Sequence, residues 1–278
     1  MPTTAHPPRY PRVLSIAGSD SGGGAGIQAD LKTFAALGCY GMTAITALTA
    51  QNTTGVRSIH GVPLDFLADQ IDAVVEDIGV DAVKIGMLHS APTVRAVAAA
   101  IGRHQLPNVV LDPVMVATSG ARLIEPDAVQ AIVTELFPRT AVVTPNLDEA
   151  ALLVGRELRS EDDMDRAARQ LLERGARAVL LKGGHLEGAM VSDLLLVAGA
   201  APRWFRGPRI ETPNTHGTGC TLSSAIAASL ALGMDLEAAV ARARDFVRGA
   251  LEAGAQARTG AGSGPLNHGF APVALQAR

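Results

Sequence analysis

Seven short apolar runs constrain this chain more than any other feature. They occupy residues 13–17, 42–49, 82–85, 109–111, 141–144, 178–181 and 194–197. Apolar residues fill each run instead of alternating with polar ones, the pattern of strands buried on both faces. Between and after them, apolar residues recur at helical spacing over 28–37, 64–77, 93–104, 127–137, 147–154, 162–174, 221–232 and 236–256. Parallel neighbours need a crossover, and a helix is the usual one. The alternation therefore predicts an α/β fold with a central, mostly parallel sheet covered on both faces. Ligands of such sheets collect at the carboxyl ends of the strands. The unusual residues fall there, at 18–26, 51–52, 86–87, 112–113, 145–146 and 182–184.

No interior linker divides the 278 residues. One domain over 12–270 is expected, with a disordered lead-in at 1–11 and a tail at 271–278. The glycine-rich stretch 260–264 is the only interior piece that reads as flexible. A net charge of −3 and 3% aromatic residues give phosphate-backbone binding and base stacking little to rest on, so no nucleic-acid partner is expected. Two cysteines, Cys39 and Cys220, fit a reducing compartment. The first twelve residues hold four prolines and no apolar core, unlike a signal peptide. No apolar run approaches the ~18 residues of a membrane span. A cytoplasmic location follows as an expectation.

Several local patterns carry chemistry. After the first strand comes Gly18-Ser19-Asp20-Ser21-Gly22-Gly23-Gly24-Ala25-Gly26, where glycines let backbone approach a ligand. Gly24 to Ala29 also fits the dinucleotide fingerprint G-x-G-x-x-A. That fingerprint wants an acidic residue ending the second strand, where this chain has Ala50-Gln51-Asn52. A Walker A loop is excluded, because no Gly-Lys-Ser/Thr occurs. The segment Asn214-Thr215-His216-Gly217-Thr218-Gly219-Cys220-Thr221 opens a helix. Backbone N–H groups there, freed by glycine, suit an anion, and Cys220 in the first turn is expected to favour its thiolate. Asn146 and Glu149, three apart at a helix start, suit either water-mediated Mg²⁺ binding or a capping box. Asp112 ends another strand. Of 24 basic residues only Lys32, Lys84 and Lys182 are lysines. Lys84 and Lys182 each close an apolar run just before glycine, and Lys182-Gly183-Gly184 suits a phosphate. The histidines show no metal-binding spacing, so a transition-metal site is not expected.

Together these blocks resemble the ribokinase-like superfamily, and within it the hydroxymethylpyrimidine and phosphomethylpyrimidine kinases. The matching residues run from Ile16-Ala17-Gly18-Ser19-Asp20 through Thr46-Ala47-Leu48-Thr49-Ala50-Gln51-Asn52, Lys84-Ile85-Gly86-Met87, Leu111-Asp112-Pro113-Val114-Met115 and Thr144-Pro145-Asn146 to Lys182-Gly183-Gly184-His185 and Asn214 to Thr221. The resemblance implies a three-layer α/β/α kinase that uses ATP and Mg²⁺ and forms a homodimer. Its acceptors would be 4-amino-5-hydroxymethyl-2-methylpyrimidine and then its monophosphate, in thiamine biosynthesis. Position by position, it implies Gln51 at the pyrimidine edge with Gly18, Asp30 and Met87 around the ring. It implies Gly217, Thr218 and Gly219 as an anion hole, with Cys220 where sugar kinases carry an aspartate base. Asp112 and Glu149 would serve Mg²⁺; Asn146, Lys182, Gly183 and Thr218 would serve ATP. Close relatives often carry lysine two residues before the glycine of the segment after Met115. Here Ala117-Thr118 stand in that stretch, which would weaken the second phosphorylation. The alternatives are a pyridoxal kinase and, from another class, a catalytically silent pyrimidine sensor.

Overall fold

A computed structural model describes residues 8–116, 123–275 and 277. Nine strands form one sheet in the order β3-β2-β1-β4-β5-β6-β7-β8-β9. They are β1 Arg12–Asp20, β2 Tyr40–Asn52, β3 Gly55–Gly61, β4 Ala82–Ile85, β5 Val109–Leu111, β6 Val142–Val143, β7 Ala178–Leu181, β8 Met190–Val197 and β9 Arg203–Pro208. The pairings from β2 through β1 and β4 to β7 are parallel. The pairings β2–β3, β7–β8 and β8–β9 are antiparallel. All seven expected strands are present; β3 and β9 are additional edge strands, half exposed and without a continuous apolar run.

Successive residues of the inner strands point to opposite faces and build two cores. Val83, Ile85, Val109, Leu111, Val143, Val179 and Leu181 face one core. It is closed by α2 Leu64–Asp77, α3 Ala91–His104, α4 Pro126–Ala131, α5 Leu147–Val154 and α6 Glu161–Glu173. Ala82, Val110, Val142, Ala178 and Leu180 face the other, closed by α1 Gly26–Ala36, α7 Thr218–Ala231 and α8 Leu236–Gly254. The helix expected over 127–137 is not continuous. It ends at Ala131, passes through a π turn over Ile132–Leu136 and finishes as a 3₁₀ turn, Phe137–Arg139. Pro138 has no N–H to continue the ladder.

The chain leaves β1 for β2 on one side and returns to β4 on the other. This places a topological switch point at the carboxyl ends of β1 and β4, where a crevice opens. Two register shifts shape it. One lies between Ala17 and Ser19 and frees Gly18 from the ladder; the other lies between Ala50 and Gln51. Such bulges turn a side chain out of its regular direction.

The stretch 260–264 is packed rather than loose. A Cβ on Gly260 or Gly262 would strike Thr53, and one on Gly264 would strike the Asn214 side chain. Gly262 N–H donates to Thr53 Oγ1 at 3.2 Å, and Gly264 O accepts from His216 N–H at 3.0 Å. Part of the tail is also attached, through Val273 N–H to Ala36 O at 2.8 Å.

Candidate active site

A cavity of about 640 Å³ occupies the crevice. On one side, Gly18, Gln51, Met87, Val114, Leu123 and His216 line it. Met87, Ala47 and Leu123 form a small apolar cluster there. A Cβ on Gly18 would lie 2.5 Å from Met87 Cε and would push that methyl out of its place in the floor. At the rim, the Gln51 side chain accepts from Thr49 Oγ1 at 3.0 Å and lies 3.4 Å from His216 Nε2.

Asp20 organises the glycine loop. Its carboxylate accepts the N–H groups of Gly22, Gly24 and Ala25 at 2.8, 3.1 and 2.9 Å, and His216 Nε2 lies 2.9 Å from Oδ2. Burial alone would raise its pKa; the His216 bond and the backbone donors outweigh this and hold it below the usual carboxylate range. The loop's N–H groups therefore serve Asp20, and the dinucleotide reading loses its pyrophosphate donors. Asp20 and His216 are site residues that sequence reasoning did not single out. Each lies inside a conspicuous motif, but they are 196 positions apart, and only the fold pairs them.

Gly217 opens α7 in the left-handed region, at φ 86°, with no side-chain cap. A Cβ there would collide with Gly24 O, so this helix start packs directly on the glycine loop. Thr218 N–H turns to Thr215 O at 3.2 Å. Helix geometry leaves the N–H groups of Gly219 and Cys220 without intrahelical acceptors, at the positive end of the helix. Cys220 does not behave as expected. Burial pushes its thiol up to about 11; Lys84 opposes this, while Asp30 and Asp112 add to it. The helix start is outweighed, and the free protein carries a neutral thiol.

Asp30 also departs from its expected place. It is fully buried behind the cavity wall rather than beside the ring. Its carboxylate meets Lys84 Nζ at 2.9 Å, Ser15 Oγ at 2.6 Å and Ser224 Oγ at 2.7 Å. Lys84 is itself fully buried. Burial would lower its pKa, but Asp30, with Asp112, holds it above the ordinary lysine value.

Across the cavity, Lys182 stands between two carboxylates. Its Nζ lies 2.8 Å from Asp112 Oδ1 and 3.8 Å from Glu149 Oε2. A Cβ on Gly219 would sit 3.2 Å from that Nζ and 3.5 Å from Asp112 Oδ2, so the α7 start adjoins this cluster. Burial of Lys182 is outweighed by Asp112 and Glu149, and its pKa lies above the ordinary value. Glu149 and Asn146 do form the capping box, each accepting the other's backbone N–H at 2.8 Å. Even so, burial pushes Glu149 up to about 7, with Lys182 opposing and Asp112 adding. Asn146 and Lys182 pair as an isolated bridge beyond β6 and β7. Gly183 is buried with Ser192 O behind it, and Gly184, not Gly183, lines the cavity. Ala117 and Thr118 lie outside the described residues.

Among the described residues, no three His, Cys, Asp or Glu side chains converge as a metal cage. Asp112 and Glu149 still fit Mg²⁺, which commonly takes one or two carboxylates and keeps several waters. Both carboxylates are buried on either side of Lys182.

A glycine loop, an uncapped helix start and a lysine between two carboxylates, set at a sheet's switch point, define a small-molecule kinase of the ribokinase type. The chain belongs to the phosphomethylpyrimidine kinase family, whose model matches residues 20–267. It is 52% identical to a Rhizobium meliloti hydroxymethylpyrimidine/phosphomethylpyrimidine kinase over 256 residues, 92% of this chain and 96% of that protein. It is 54% identical to the Geobacter sulfurreducens thiamine biosynthesis bifunctional protein ThiED over 261 residues. That match covers 93% of this chain and 53% of that protein, so the chain spans about half its length. The solved ADP complex of Bacillus subtilis pyridoxal kinase has TM-score 0.83 and 38% identity, covering 93% of this chain and 97% of that one. Among the described residues, no helix is long and apolar enough to cross a membrane.

Proposed function

We propose that this chain transfers the γ-phosphoryl group of ATP to the hydroxymethyl oxygen of 4-amino-5-hydroxymethyl-2-methylpyrimidine, and then phosphorylates the monophosphate. The observation that carries this is Gln51, set at a strand bulge beside the Met87 floor and in one cavity with the α7 start and Lys182. An amide offers a donor and an acceptor side by side, matching an aminopyrimidine edge. The apolar floor takes the ring face, and Gly18 leaves space for it. Cys220 lines the acceptor side as a neutral thiol rather than as a base.

Phosphoryl transfer needs alignment and charge neutralisation more than covalent help. The N–H groups of Gly219 and Cys220, with Thr218 beside them and Gly217 admitting the close approach, receive the transferring phosphate. Lys182 and the amide nitrogen of Asn146 hold donor phosphates; the Asn146 oxygen is already used by the cap. Asp112 and Glu149 would hold Mg²⁺, which supplies charge neutralisation across the phosphates. A homodimer in the cytoplasm belongs to the same reading, and the single domain over 12–270 carries the whole site.

Mass spectrometry of the products from ATP, Mg²⁺ and the hydroxymethylpyrimidine tests this reading. Successive mono- and diphosphate are expected. The fold shared with pyridoxal kinase supports one competitor, and phosphorylation of pyridoxal alone would replace the pyrimidine reading with it.

A further inference from the structure

One carboxylate joins two walls of the donor half of the cavity. Asp193 is a buried residue of β8. Its Oδ1 accepts the Gly183 N–H at 2.9 Å, and its Oδ2 accepts from Arg244 Nε at 2.7 Å. Gly183 follows Lys182, whose own N–H donates to Pro145 O at 2.9 Å. The Lys182 backbone is thereby held from the β6 end through one peptide and from β8 through the next. Ser192 O backs Gly183 so closely that no Cβ fits, so the turn sits tight against β8. Arg244 projects from α8, which also sends Val247, Arg248 and Leu251 to the cavity. The Arg244 guanidinium lies 5.6 Å above the Phe205 ring, with its side chain 13% exposed.

We propose that Asp193 is a positioning residue for the phosphoryl donor. It sets the Lys182 turn at one fixed spacing from α8, so both ends of a nucleoside triphosphate meet walls already aligned. The inference rests on the kinase reading above and adds to it a residue that the motifs did not mark. Asp193 acts through Lys182 and α8; misplacement by about an ångström is enough to degrade a phosphoryl-transfer site. A natural control exists. Arg203 and Glu237 also tie α8 to the sheet, at 2.9 Å, but with side chains 61% and 58% exposed and without contact to the Lys182 turn.

The test compares wild type with Asp193→Asn, Asp193→Ala and Glu237→Gln. Asn keeps an acceptor for Gly183 N–H and loses the charge-assisted bond to Arg244; Ala loses both. ADP binding is measured by calorimetry without acceptor, beside the separate KM values for ATP and the pyrimidine. Loss of charge-assisted bonds predicts a rise of roughly 10-fold in the ADP Kd and ATP KM for Asp193→Ala. Asp193→Asn should fall between it and wild type, with pyrimidine KM unchanged and Glu237→Gln like wild type. If Asp193→Ala does not fold, Asp193→Asn carries the comparison alone. Unchanged nucleotide constants in the Asn variant, equal rises for both substrates, or an equal effect of Glu237→Gln each overturn the proposal. Weakened ADP binding in an enzyme that phosphorylates no pyrimidine would leave the proposal standing and remove only the acceptor assignment. A wild type that binds no nucleotide would remove the kinase reading itself, and the proposal with it.

Discussion

Gln51 and Cys220 show how differently two motif residues emerge from the same fold. Gln51 lines the cavity that also holds the apolar Met87 cluster. Replacing it with Ala is expected to raise pyrimidine KM by roughly 5- to 150-fold, because ligand groups are left unpaired; ATP KM should move little. An unchanged pyrimidine KM in steady-state assays would refute the assignment. For Cys220, the local signal was the helix start, which favours a thiolate. Burial and two nearby carboxylates push the other way and win, to about 11. Iodoacetamide labelling of the free protein should therefore be slow near neutral pH and accelerate as pH rises toward that value. Bound pyrimidine should protect the thiol. Fast labelling at pH 7 would restore the thiolate. Positions such as Asp112, Lys182 and Gln51 were legible because each ends an apolar run. The burial of Asp30 was not, since its partners Lys84 and Ser224 lie 54 and 194 positions away. The place of Gly183 was not legible for a related reason: β8 folds back against it and takes it out of the cavity lining.

The elements divide the same way. Inner strands announce themselves because both faces are buried. β3 and β9 lie at the sheet's edges, half exposed, and β9 carries both glycine and proline, so neither builds a hydrophobic run. Helix α7 is buried from Thr221 through Ser229; Thr221, Ser223 and Ser224 answer charged or titratable partners, while the Ser229 hydroxyl has no hydrogen-bond partner among the described residues. Ser224 bonds Asp30, Ser223 lies 3.3 Å from Asp112 Oδ2, and Thr221 Oγ1 lies 2.9 Å from His268 Nε2. Burial and the nearby Lys32 lower the His268 pKa from 6.5 to about 4, against a smaller raising effect from Leu266. The neutral ring is favoured in the fold and the charged ring in the unfolded chain. Its contribution is therefore complete above pH 6.5 and is lost as pH falls toward 4, by at most roughly 3 kcal/mol. Urea unfolding of wild type and His268→Gln across that window should show a shallower acid slope in the variant. Equal slopes would exclude His268 as the source.

At the scale of the molecule, one sheet runs from β3 to β9 with both cores spread across it. No seam separates a donor half from an acceptor half. Heat or urea should therefore unfold the chain in one cooperative step, with far-UV dichroism and Trp204 fluorescence changing together; separated transitions would reveal two units. The glycines at 260, 262 and 264 carry a consequence in time. The ribosome makes them after the last strand and the last helix of this domain. Until they emerge, Thr53 beside the Gln51 turn and Asn214 beside His216 lack the neighbour that presses them into place. A nascent chain can thus complete its sheet while its pocket is still open and its second core still lacks Leu266, and it acquires a finished catalytic surface only once residues 260–266 have been made.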